Sequence, residues 1–120
     1  MRRLLAVAFF ASMVGMANAG SPPQGQRYGA GMQSCAQFAR LYAANPEITE
    51  DLFFSWAQGF ISGLNIEALI QNRPFRKLDA VDVASQKIEV RSYCDSHPLV
   101  QYGQAVFEAI YMNLPTSPSP

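Results

Sequence analysis

The chain has 120 residues, with nine Lys and Arg against nine Asp and Glu, 49% apolar and 15% charged. It is too apolar for a disordered polyelectrolyte and too short for several domains. Zero formal net charge, with a charged fraction below the roughly 25% of an average soluble domain, excludes the basic footprint that a nucleic-acid binder needs.

Residues 1–19 read as a secretory signal peptide. Arg2 and Arg3 form a short basic start, residues 4–16 are an unbroken apolar and small run, and Ala17-Asn18-Ala19 is an A-x-A cleavage signal. The run falls short of the ~20 residues that cross a bilayer, so no membrane span is expected after cleavage near Ala19. Removing Arg2 and Arg3 leaves seven basic against nine acidic side chains, a net charge of −2. The expected location is the periplasm, or outside the cell.

The processed chain keeps two cysteines, Cys35 and Cys94. In an exported protein an even pair most simply means one disulfide. It would close a loop of about 60 residues, and the chain-entropy estimate for that is on the order of 4 kcal/mol. A pair of reactive thiols or a metal site is the competing reading. C-x-x-C spacing is lacking and His97 is the only histidine, so a metal site is short of ligands. No cofactor is implied.

Residues 20–32 are rich in Gly, Pro, Ser and Gln, and residues 115–120 read Pro-Thr-Ser-Pro-Ser-Pro; both are expected to be disordered tails around a helical domain over 33–114. The first helix is expected over 34–44. Ser34 is its N-cap, and Cys35, Phe38, Ala39 and Tyr42 recur on one stripe. Asn45-Pro46 ends it, because the ring of Pro46 disfavours helical geometry in the residue before. Thr49 is the next cap, with Glu50 and Asp51 in the first turn.

A second helix over 50–72 carries Leu52, Phe53, Trp56, Ala57, Phe60, Ile61, Leu64, Ala68 and Ile70 on an apolar arc wider than half the circumference, so it should be central. Its remaining face carries Ser55, Gln58, Ser62 and Asn65, polar without charge. That stripe is a candidate interface, against a partner chain or a neighbouring segment; a merely small polar surface is the alternative. Gly59 and Gly63 stand four apart, each costing roughly 1 kcal/mol relative to alanine, which close approach of another helix would offset. Glu67 falls within the apolar arc. A desolvated carboxylate there would be pH-sensitive, whereas a side chain reaching water near the helix end would not.

The linker Arg73-Pro74-Phe75-Arg76-Lys77 reads as a solvated loop, with contact to an acidic partner or an anionic surface as the alternative. A third helix is expected over 79–95, capped by Asp79, with Val81, Ala84 and Ile88 on one line and Val83, Val90 and Cys94 on another. Ser96-His97-Pro98 restarts the chain. Pro98 would take the first position of a fourth helix over 98–113, which presents Leu99, Tyr102, Val106, Ala109, Ile110 and Asn113 on one face. The architecture expected is all-α, a four-helix single domain closed by one disulfide.

The string Ser34-Cys35-x-x-Phe38, then Trp56-Ala57-x-Gly59-Phe60-x-Ser62-Gly63-x-Asn65, then Tyr93-Cys94 with Pro98 four residues on and a final amphipathic helix, resembles two related kinds of small periplasmic helical protein. One is the Rap/Tai family of type VI secretion immunity proteins; the other is the HdeA-like acid-stress chaperones. The resemblance spans about 34–114, and its motif residues Trp56, Gly59, Phe60, Gly63 and Pro98 are structural. It implies an HdeA-like helical domain, often a homodimer, that works by binding another protein. For the immunity family the implied partner is a cell-wall-degrading effector; for HdeA the resemblance implies acid-triggered dissociation that exposes apolar surface to an unfolded client. The 59-residue separation of the cysteines and the Trp-bearing second helix stand closer to the former, and the low charge content departs from the latter.

General acid–base or nucleophilic catalysis needs titratable groups gathered at one place. His97, beside a proline, reads as a capping or surface residue, and no G-x-S-x-G, H-E-x-x-H or phosphate loop is present. The sequence therefore predicts a binding protein and no enzyme.

Overall fold

The computed structural model describes residues 27–118, so the expected signal peptide lies outside the described residues. These residues form four α-helices in an all-α single domain: α1 (Cys35–Ala44), α2 (Pro46–Ile70), α3 (Val83–Ser96) and α4 (Tyr102–Ala109). Two 3₁₀ turns, Gly29–Met32 and Tyr111–Asn113, flank them. A disulfide joins Cys35 to Cys94, with Cα atoms 4.8 Å apart, pinning the start of α1 to the end of α3.

α1 starts where its sequence says it should. The Ser34 hydroxyl accepts from the Gln37 backbone N–H, and the Gln37 side chain accepts from the Ser34 N–H, a reciprocal cap. α2 starts four residues earlier than the expected Glu50. Asn45, not Thr49, is its cap, accepting from the Ile48 N–H, and Pro46 fits the first turn because that turn needs no intrahelical donor there. Thr49 instead lies buried, its hydroxyl donating to the Leu41 carbonyl. The helix stops at Ile70, and Asn72 adopts a left-handed φ of 52° just beyond it.

α3 is likewise capped by Asp82 and not by Asp79. Its carboxylate accepts from both the backbone N–H and the hydroxyl of Ser85. The residues before it form turns, held by Gln86, whose buried amide donates to the carbonyls of Leu78 and Val81. α4 is shorter than expected, because Pro98 stays outside any helix. The loop it begins gives carbonyls to the free N–H groups at the head of α1: Cys35 donates to Val100 and Ala36 to Pro98.

α1 packs on α2 and α3, and α4 on α3. At their meeting point Phe38, Phe53 and Tyr102 form a ring cluster, with centroids 4.9 to 5.0 Å apart. Cys35, Ala57, Ile61, Val90, Cys94, Val106 and Ile110 close around it. Fully burying an aliphatic or aromatic side chain of this kind contributes about 1.5–3 kcal/mol.

Both expected tails are partly built into the domain. The indole of Trp56 donates to the Tyr28 carbonyl at 2.7 Å and fills a slot between Gly31 and Gly103. The Gly-rich segment thus folds for lack of side chains: only bare backbone fits against that ring. At the other end, Lys77 donates to Pro115 and Ser117 to Phe75, so residues 115–117 lie along the linker.

Candidate functional site

The wide apolar arc of α2 divides in two. Phe53, Ala57, Ile61 and Ala68 are buried, with Phe54 added to them, and Trp56, Phe60 and Leu64 are partly buried. Leu52 and Ile70 point outward instead, as do Val83, Ile88 and Leu99 from the stripes expected on the later helices. The core therefore sits to one side of the arc's expected centre, and Leu52 belongs to the opposite face.

That face is the notable surface of the molecule. Ile48, Leu52, Ser55, Gly59, Ser62, Gly63, Ile66 and Ile70 are all exposed, and at 100° per residue they fall in one band along the whole helix. The four large members are 59% to 76% exposed. None of the eight carries a charge. Asp51, Gln58 and Leu69 border the band on one side; Glu67 lies beyond the other.

A Cβ placed on Gly59 or Gly63 would meet no atom within 4 Å, so among the described residues no other helix approaches them. The close packing expected to offset their cost is absent among the described residues. Tyr28, itself exposed, lines a shallow cleft with Arg27, Ser55, Trp56, Gly59 and Phe60, and Trp56 stacks on Phe60 at 5.1 Å.

Of the four polar candidates, Ser55, Gln58 and Ser62 are exposed on or beside this band, but Asn65 is not part of it. Its side chain is a clamp: Nδ2 donates to the Arg76 carbonyl at 2.7 Å, and Oδ1 accepts from the Arg76 N–H at 3.0 Å and the Tyr111 hydroxyl at 3.2 Å. Arg76 in turn donates to the Leu114 carbonyl and lies over the Tyr111 ring. The linker is thereby tied down and is not a freely solvated loop. Asn65 sits on the side of α2 that turns toward this linker, which helical spacing alone could not reveal.

Glu67, the candidate acid-sensitive group, is exposed and paired with Arg73 and Gln71. Its side chain reaches water near the end of α2, the second of the two readings of this position, and is not buried in the apolar arc. Pro98 serves through its carbonyl, as described above. His97 closes α3, with its Nδ1 2.8 Å from the Tyr93 carbonyl and its ring stacked on Tyr93 at 4.0 Å.

Ile48, Ile66 and Leu69 were missed as surface residues. The signal was available: continuing the Ser55–Ser62 stripe by steps of three and four in both directions reaches Leu52, Ile48, Ile66 and Ile70. Among the described residues no group of three or more His, Cys, Asp or Glu could hold a metal ion, and no helix is long and apolar enough to cross a membrane. Comparison with protein-family models, with curated proteins and with solved structures finds no match for the chain.

Proposed function

We propose that this chain is an exported helical protein that acts by binding another protein, as an immunity- or inhibitor-type protein that neutralises a cell-wall-degrading effector. The supporting observation is the outward face of α2: a 25-residue helix with an uncharged, aliphatic and small-residue band that the other described elements leave uncovered. Contiguous exposed apolar surface on a small domain is a mark of protein contact. A disulfide joining two buried cysteines suits the oxidising compartment in which such an effector would be met. The role requires no catalytic group and no cofactor, only a rigid surface.

The test is to inspect the gene neighbourhood for a peptidoglycan hydrolase and to mix any hydrolase found there with the purified protein at neutral pH. A stable complex and loss of hydrolase activity are expected. Absence of both, together with suppression of client aggregation only at strongly acid pH, would replace this reading with that of an acid chaperone.

A further inference from the structure

We propose that the cleft beside the C-terminal end of α2 binds a small carboxylic acid with an apolar body, whose carboxylate meets Arg76. The cleft is separate from the exposed band of α2 and stands whether or not that band binds a protein: Leu64 and Ala68, which line the cleft, lie on the other side of the helix from Gly59.

The cleft has a volume of about 420 Å³. Small-molecule sites run from roughly 300 to 1,000 Å³, so it suits a small organic ligand and not a long lipid chain. Leu64 and Ala68 form its apolar wall together with Phe107 of α4 and Tyr111, whose ring stacks on Phe107 at 5.8 Å. Met112 also lines it, an unbranched side chain that can adjust to an irregular body.

An unmatched charge selects the acid. Arg76 is partly buried, and among the described residues no carboxylate pairs with it, whereas Arg73, Lys87 and Arg91 each have one. Its guanidinium gives one N–H to the Leu114 carbonyl at 2.8 Å, sets another 3.9 Å from the Met112 sulfur, and rests over the Tyr111 ring at 5.7 Å. A thioether is a weak acceptor, and a guanidinium has five donors, so among the described residues most of them meet no oxygen. Removing part of a cation's water without a counter-charge is costly, and a carboxylate accepted side-on by the planar fork offsets that cost. The count of charges fixes the head group. Arg73 and Arg76 line the cleft with one carboxylate, Glu67, which Arg73 and Gln71 already hold. One positive charge is left over, which a singly charged carboxylate balances and a phosphate dianion overshoots. Arg76 is also in place before a ligand arrives. Asn65 holds its backbone N–H and carbonyl, and Thr116 pairs with it across an isolated bridge. Such preorganisation lowers the ordering cost of binding.

Titration of octanoate into the purified protein at neutral pH, followed by calorimetry and by methyl NMR, tests the site. Saturable one-to-one binding is expected, with shifts at Leu64, Ala68 and Met112. Octylamine keeps the body and reverses the charge, and acetate keeps the head and lacks the body; each should bind at least about tenfold more weakly. This comparison uses the unsubstituted protein, so it decides the matter even if Arg76→Gln disturbs the Leu114 contact. Arg76→Gln should weaken octanoate binding by a similar factor and Arg76→Lys by less, with circular dichroism unchanged. Leu64→Trp, which fills the cleft and keeps Arg76, should abolish it. Absence of saturable octanoate binding, equal binding of octylamine, or a folded Leu64→Trp variant that binds like its parent each overturns the proposal. So do shifts confined to Ile48, Leu52, Ile66 and Ile70, which would seat the acid on the exposed band. A peptide with a free C-terminal leucine that binds where octanoate does not overturns it as well, and gives the cleft to the end of a protein chain.

Discussion

A methyl group on Gly31 would fall 2.0 Å from the Trp56 ring, and one on Gly103 2.9 Å from it. The indole is held between two backbones that have no side chain to give way. Gly31→Ala must therefore displace either the ring or the segment that covers it, and overpacking of this kind costs about 1–3 kcal/mol. Urea unfolding followed by Trp56 fluorescence should show the lower midpoint, and a red-shifted native spectrum would report that the ring has been uncovered. Tyr102 offers a second single-residue test. Burial in the Phe38–Phe53 cluster pushes its phenol well above the ordinary value of 10.0, against a smaller opposing pull from Arg91. The folded chain thus holds that proton where the unfolded chain releases it. The contribution is complete below pH 10 and is lost as the pH rises above it. Tyr102→Phe should flatten the alkaline limb of a stability-against-pH curve, measured by thermal melts in a buffer series.

The helices differ in how plainly their boundaries were written. Ser34 with Gln37 at the third position is a complete local signal, and α1 begins there. At 45–50 two signals overlapped: Asn45 and Thr49 are both good caps, and Pro46 can end one helix or begin the next. The tertiary contact from Thr49 to Leu41 decided between them, and no local rule contains it. The same ambiguity arose between Asp79 and Asp82, resolved by Ser85 three residues beyond the latter. Asp82 now carries a testable consequence. Hydrogen bonds from the Ser85 backbone and hydroxyl hold its carboxyl below the ordinary 3.8. A depressed carboxyl stabilises the folded chain above its unfolded value, and that contribution fades as the pH falls through the folded one. Asp82→Ala should lower Tm by roughly a few degrees at neutral pH. In acid, below that range, the gap between the variant and its parent should close. The candidate interface was half legible for a related reason. Helical spacing placed Ser55, Gln58 and Ser62 together correctly, but it could not say that the linker would fold back onto Asn65 or that Glu67 would face solvent.

At the scale of the whole molecule, two kinds of closure hold α1, α3 and α4 together, with α2 packed on α1 and α4 by one face only and so not the central helix that its wide apolar arc predicts. One is backbone pairing: Cys35 donates to Val100, Ala36 to Pro98 and Tyr102 to Gln33, so the head of α1 and the approach to α4 cap one another. The other is the bond from Cys35 to Cys94, whose loop contains all of α2 although α2 has no cysteine. Cutting the bond leaves every core contact available but frees the unfolded chain of a long-loop constraint, worth on the order of 4 kcal/mol in the entropic account. A domain of this size has about 5–15 kcal/mol in all, so the loss is a large part of the whole. Both closures converge on Cys35, and the aromatic cluster beside it is shared by α1, α2 and α4. No helix has a separate core on which to survive alone. Cys35→Ala/Cys94→Ala should therefore shift the entire urea transition to lower denaturant, with far-UV circular dichroism and Trp56 fluorescence still coincident. A split between the two signals, with helix persisting after the indole is exposed, would mean that α2 holds together without the bridge and that the covalent closure, not the shared core, makes the domain fold as one unit.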